Sequence, residues 1–133
     1  SDVIGRKWPT VVGFFLCSGG VLTFPMFASV SAWALAAAVT GVGMALLYPT
    51  LIAAMGDIAH PSWRGSALGV YRFWRDLGYA IGALAMGLIA DAAGMLEAGF
   101  WFTGIAMAIS GFWLILRMEE THPRLNPASE MEK

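Results

Sequence analysis

Four apolar stretches set the limits on how this chain can fold: residues 8–30, 33–55, 66–90 and 98–116. They are 19 to 25 residues long. A helix needs about 20 residues, at about 1.5 Å each, to cross a hydrocarbon core of about 30 Å. Lipid offers no partner to an open backbone N–H or C=O, so stretches of this kind cross as helices. The expectation is an all-α membrane protein with four transmembrane helices. A soluble helical core can be as apolar, but not in four successive runs of this length. Only 13% of residues are charged and 58% are hydrophobic, against about 25% charged in an ordinary soluble domain. The mean hydropathy is +0.67.

Alternating the four spans puts all eight basic residues on one face. Arg6 and Lys7 precede the first span, and Arg64 lies in the middle link. Arg72 and Arg75 fall in the first turns of the third span, and Arg117, Arg124 and Lys133 follow the fourth. The links on the other face, near Ser31 and over 91–97, hold no Lys or Arg. The positive-inside rule then makes 1–7, the loop 56–65 and the tail 117–133 cytoplasmic. The expected location is the plasma membrane, which in a bacterium is the inner membrane. Trp8, Trp33, Trp63, Trp101 and Trp113 sit near span ends, where interfacial belts are built. A net charge of −1 gives no ground for a nucleic-acid partner.

The chain begins at Ser1, and no signal-peptide pattern precedes the first span. Its opening residues read as a loop that follows a missing helix. The single Cys17 lies inside the first span and has no partner for a disulfide within the chain. The first outward link, around 28–32, is short, so spans one and two should form an antiparallel pair. Pro61 stops any helix from running through the middle loop.

The spans differ in polarity. The first and fourth hold nothing more polar than Ser, Thr and Gly, which suits outer, lipid-facing positions. The second holds Thr40, Gly41, Gly43, Tyr48, Pro49 and Thr50. Pro49 has no N–H to give the carbonyl four residues back, so a kink near Ala45 is expected. At 100° per residue, the third span aligns Gly65, Gly69, Arg72, Asp76, Tyr79, Ala83 and Gly87 on one stripe. Val70, Phe73, Leu77, Ile81, Leu84 and Leu88 form a second, apolar stripe. From Leu77 to Ala90 the helix is about 21 Å long, too short to cross, so Arg72, Arg75 and Asp76 must lie at the cytoplasmic interface. Arg72 and Asp76 are four residues apart and can pair. Charges at such depth are costly unless paired or wet, and they mark a lock or a proton site. The pairing favours the lock.

No enzyme constellation competes with this picture. His60 is in a loop and His122 in the tail, without ligand-spaced cysteines or carboxylates between them. There is no phosphate loop and no activated-serine motif, and no cofactor is expected.

The opening run Ser1-Asp2-Val3-Ile4-Gly5-Arg6-Lys7 resembles the latter part of a loop signature of the major facilitator superfamily, Gly-x-Leu-x-Asp-x-x-Gly-Arg-Lys/Arg. Asp2, Gly5, Arg6 and Lys7 fall on its charged and glycine positions. The span with Gly41-x-Gly43 and Tyr48-Pro49, followed by Asp57, Pro61 and Arg64-Gly65, resembles helix ten and its loop in that family. The glycine-rich third span resembles helix eleven. The chain would then be helices nine to twelve of a twelve-helix carrier, part of its C-terminal six-helix lobe, whose helices one to eight lie outside this sequence.

The resemblance implies secondary active transport of a small solute by alternating access, proton-coupled in the manner of efflux-like members. Asp2, Gly5, Arg6, Lys7 and Arg64 would form a conformational latch on the cytoplasmic side. Thr40, Tyr48, Thr50 and Tyr79 would line the substrate cavity. Arg72, Arg75 and Asp76 would be the lock or the proton site. Its partners would be the lipid bilayer, the missing helices, a small-molecule substrate and protons. Two other readings stay open on the residues alone. A stand-alone four-helix pump needs a carboxylate in its first span, which 8–30 lacks. A non-transporting membrane anchor or assembly subunit needs no polar stripe, which Arg72 and Asp76 supply.

Overall fold

A computed structural model describes residues 5–118. Asp2, His122, Arg124 and Lys133 lie outside the described residues. The described chain is four helices: α1 (Lys7–Thr23), α2 (Val30–Ile58), α3 (Arg64–Ala93) and α4 (Glu97–Arg117). By length and composition α2, α3 and α4 can cross a membrane. The first helix is shorter than its sequence suggests. At 17 residues it is about 25 Å long, because Pro25 closes the apolar run 8–30 early. After Thr23 the chain turns through hydrogen bonds from Phe24 N to Val21 O and from Met26 N to Thr23 O, of 3.3 and 3.2 Å.

Local chemistry sets the other ends. Gly5 has φ 89°, a left-handed conformation that suits glycine, and the chain enters α1 directly after it. Pro9 stands in the first turn of α1, where a missing N–H costs nothing. Ser29 caps α2 by accepting from Ala32 N at 3.3 Å. Pro49 lies inside α2, which stays one helix from end to end. Gly94, with φ 66°, ends α3 in a left-handed cap whose N–H reaches Ala90 O and Asp91 O. Glu97 opens α4 and Arg117 closes it, each matching the helix dipole.

The packing differs from the polarity argument. α1 is not peripheral in this bundle: it lies between α2 and α4. Thr10, Gly13, Cys17 and Gly20 recur at helical spacing and are buried, with Val11 and Ser18 beside them. They face a matching stripe on α2, namely Ala36, Gly43, Leu47, Thr50 and Ala54. The backbones come very close. A Cβ on Gly13 would stand 2.9 Å from Gly43 O, and one on Gly43 would stand 2.8 Å from Gly13 O. Such small-residue contacts take the place of a hydrophobic driving force that lipid cannot supply. On the other side of α1, the Ser18 hydroxyl donates to Gly104 O of α4 at 2.7 Å, fully buried. A residue set that reads as merely small and apolar is thus the tightest seam in the fold. α3 rests on α4, with Gly99 against Met86, and touches α2 through fewer residues. Ala67 is its one buried residue among those described.

Candidate functional site

The two ends of the bundle and the α2–α3 face each gather polar groups. At the end where α1 begins and α2 finishes, Arg6 Nε donates to Asp57 Oδ2 at 2.9 Å. The two side chains are only 11% and 19% exposed, so the pair is largely withdrawn from solvent. Gly5 is buried beside it, and its left-handed turn aims Arg6 across the gap between the helices. Thr10 Oγ1 donates to the Arg6 carbonyl at 2.7 Å, which fixes the backbone that carries the guanidinium. Lys7 is the first residue of α1, at the same end. Arg64 opens α3 and is exposed. Of the residues expected to form a latch, the structure pairs Arg6 with Asp57, and Gly5 is buried next to Arg6 in the chain. In the sequence Asp57 stands out only as part of a loop pattern. Its pairing spans 51 positions of sequence, beyond the reach of any local spacing rule.

On the α2–α3 face the hydroxyls of Tyr48 and Tyr79 are hydrogen-bonded to each other. Tyr79 is 52% exposed. The two threonines of α2 lie elsewhere. Thr50 is buried on the stripe that packs against α1, and Thr40 packs under Gly20. The Thr40 hydroxyl is spent on its own helix, donating to Ala36 O at 2.8 Å. The Thr40 carbonyl accepts from Cys17 Sγ at 3.5 Å. Of the four expected cavity residues, the structure brings the two tyrosines together and sets the two threonines into the α1 seam.

The third group is on α3. Asp76 pairs with its neighbour Arg75, with Nη2 to Oδ1 at 2.8 Å and Nε to Oδ1 at 2.9 Å. The expected Arg72–Asp76 pair is not the one formed. Side chains on a helix lean toward its N-terminus, so Arg72 leans away from a residue one turn ahead. A basic residue preceding an acid by four is also the weaker order. Arg75, next to the acid in the chain, folds its guanidinium directly onto the carboxylate. The whole small and polar stripe of α3, from Gly65 through Arg72, Asp76 and Tyr79 to Gly87, is exposed. Nothing lies within 4 Å of a Cβ placed on Gly65, Gly69, Gly78, Gly82 or Gly87. Among the described residues no group of His, Cys, Asp and Glu could hold a metal ion.

The family model of the Major Facilitator Superfamily matches residues 1–133, the whole chain. The chain belongs to the major facilitator superfamily. An uncharacterised MFS-type transporter of Methanocaldococcus jannaschii is 24% identical over 120 residues, covering 90% of this chain and 31% of that relative. An uncharacterised MFS-type transporter of Salmonella typhimurium is 36% identical over 87 residues, covering 64% of this chain and 22% of that relative. The chain thus spans a third or less of the length of these curated relatives. No solved structure matches it.

Membership of the major facilitator superfamily, with three helices apolar enough to cross, makes this a segment of a multi-pass membrane protein. The exposure of Leu35, Val42, Leu84, Leu88, Ile109 and Leu116 then has a physical reason. In a soluble protein such a surface would drive association; in this superfamily it meets lipid or further helices. No catalytic constellation is needed, because the family's relatives are named as transporters and not as enzymes.

Proposed function

We propose that this chain is helices nine to twelve of a twelve-helix secondary active transporter, which moves a small solute by alternating access with proton coupling. The observation that carries the reading is the Arg6–Asp57 pair, which ties the segment before α1 to the last turn of α2 at one mouth of the bundle. A largely dry ion pair at a helix end biases a two-state equilibrium by whatever stability it has in one state alone. Lys7 and Arg64 stand at the same end and, with Asp2 of the loop signature, complete the latch in this reading. The α1–α2 seam is packed backbone to backbone, α4 joins α1 through the buried Ser18–Gly104 hydrogen bond, and in this reading the three helices move together. α3 is the element with an uncovered small and polar face, and that face is where the opposite lobe would slide. Tyr48 and Tyr79 stand at the α2–α3 junction, where solute would pass, and Asp76 supplies a carboxylate for the proton. Transport by such carriers is the rocking of two halves around a midplane site. The cytoplasmic side, in this reading, is the side of Arg6 and Asp57.

The test needs no knowledge of the solute. A cysteine placed at Ala83 on the α3 stripe of the full-length transporter, with native cysteines replaced, is labelled with an impermeant maleimide. Right-side-out and inverted vesicles are compared. Alternating access predicts labelling from both faces, with a ratio that shifts when a pH gradient is imposed and when Asp57 is changed to Asn. Labelling from one face only, indifferent to both changes, would refute the proposal.

A further inference from the structure

The end of the bundle opposite the Arg6–Asp57 pair holds a cavity of about 430 Å³, in the range of small-molecule pockets. It lies where the α1–α2 link meets the start of α4. Four aromatic side chains line it, namely Phe24, Phe27, Trp33 and Phe100, together with Met26 and Glu97. They come from separate elements and are held in place. Phe24 and Phe100 stack with ring centroids 5.6 Å apart and planes at 21°. Trp33 Nε1 donates to the Phe27 carbonyl at 2.7 Å, which pins the indole across the link.

The charge at this end has one sign. Glu97 is the charged residue of the lining. Asp91 is the other ionisable residue of the α3–α4 link region, and no Lys or Arg occurs in 8–63 or 76–116. An aromatic-walled pocket with a carboxylate at its rim and no base nearby favours one kind of guest. Aromatic faces attract cations, and they do so best for large, weakly hydrated ones whose charge is wrapped in carbon. A metal ion or a primary ammonium would lose hydration that these rings cannot replace. An anion would meet Glu97 and aromatic walls that favour the opposite charge. The positive end of the α4 dipole takes up part of the Glu97 charge, so the rings and the carboxylate must act together.

We infer that this pocket is a binding site for a hydrophobic organic cation, a quaternary ammonium or phosphonium or a protonated tertiary amine. It is separate from the polar α3 stripe and from the Tyr48–Tyr79 junction. It does not depend on the alternating-access reading, because the site needs only the α1–α2 link and the first turns of α2 and α4.

The test uses the full-length transporter in nanodiscs of phosphatidylglycerol, with radiolabelled tetraphenylphosphonium as the probe. Tetraphenylborate, of the same shape and opposite charge, is the control. The expected result is saturable phosphonium binding and, assayed separately because the two ions precipitate together, no saturable binding of radiolabelled borate. Glu97→Gln should weaken binding about tenfold, and Trp33→Leu should do the same. Trp33→Phe keeps a ring face and should lose less. Each variant is first checked for a monodisperse elution profile. Three results would overturn the inference: no saturable phosphonium binding, equal saturable binding of the borate in its own assay, or unchanged affinity in both Glu97→Gln and Trp33→Leu. Equal saturable binding of the phosphonium by protein-free phosphatidylglycerol nanodiscs would also overturn it, because the anionic lipid and not the pocket would then hold the probe.

Discussion

Breaking the Arg6–Asp57 pair should shift the balance between the two states of the transporter more than it harms the fold. Exposed ion pairs contribute about 0.2–1 kcal/mol. Stranding one charge of a fully buried pair costs about 3–5 kcal/mol. At 11% and 19% exposure this pair lies between those limits. A value of about 1–3 kcal/mol follows, equivalent to a shift of about 5- to 150-fold in a two-state equilibrium. The assay is a double-mutant cycle in the full-length protein, with Arg6→Gln, Asp57→Asn and both together. Two quantities are read: thermal stability in detergent, and the inward-to-outward labelling ratio of a reporter cysteine. Lys7 stays in every variant, so the coupling term isolates the pair. Each single change should move the labelling ratio in the same direction. The double variant should move it by less than the sum of the two single changes, because the interaction within the pair is lost only once. Strict additivity of the two single effects would refute the reasoning, since it would mean that Arg6 and Asp57 act on the equilibrium separately.

Other substitutions test the packing, the α3 charges and the topology. Gly13→Ala should destabilise the full-length protein by about 1–3 kcal/mol through overpacking, because its Cβ would stand 2.8 Å from Leu47 Cγ and 2.9 Å from Gly43 O. Gly19→Ala, with nothing within 4 Å, should be neutral or slightly stabilising in the same thermal assay. Asp76→Asn should change stability by less than about 1 kcal/mol, since its side chain is 63% exposed and paired only to the adjacent Arg75 in this segment. A collapse in folded yield would show that Asp76 locks against a helix beyond this sequence. Cysteines introduced at Ser62 and Gly94, in a Cys17→Ser background, should label from opposite faces of the membrane with an impermeant reagent, Ser62 from the cytoplasmic one.

Hydropathy and chain chemistry made the helical class legible. The apolar runs and the Pro61 stop act locally, within a turn or two of chain, which is why an all-helical membrane class can be read from them. The end of α1 was less legible, because Pro25 halts the helix while the apolar run continues to Val30. The polar stripe of α3 could be drawn from 100° periodicity alone. Its exposure could not, since whether a face is covered depends on what else folds against it.

Tertiary structure decided the pairings. Arg6 and Asp57 meet because α1 and α2 are antiparallel and their ends coincide, a contact 51 positions apart that no spacing rule encodes. Thr40 and Thr50 look like Tyr48 in a list of polar residues in one span. Only the direction of the α1 contact sorts them, sending the threonines into the seam and Tyr48 toward Tyr79. Thr10, Gly13, Cys17 and Gly20 carry no signal in a hydropathy profile, yet they hold the closest helix approach in the bundle. The physical reason is common to these cases. Lipid exposure and helix formation depend on each residue and its near neighbours, so sequence determines them. Which face is buried, and which charge finds which, depends on the relative placement of whole helices, and only the folded bundle sets that.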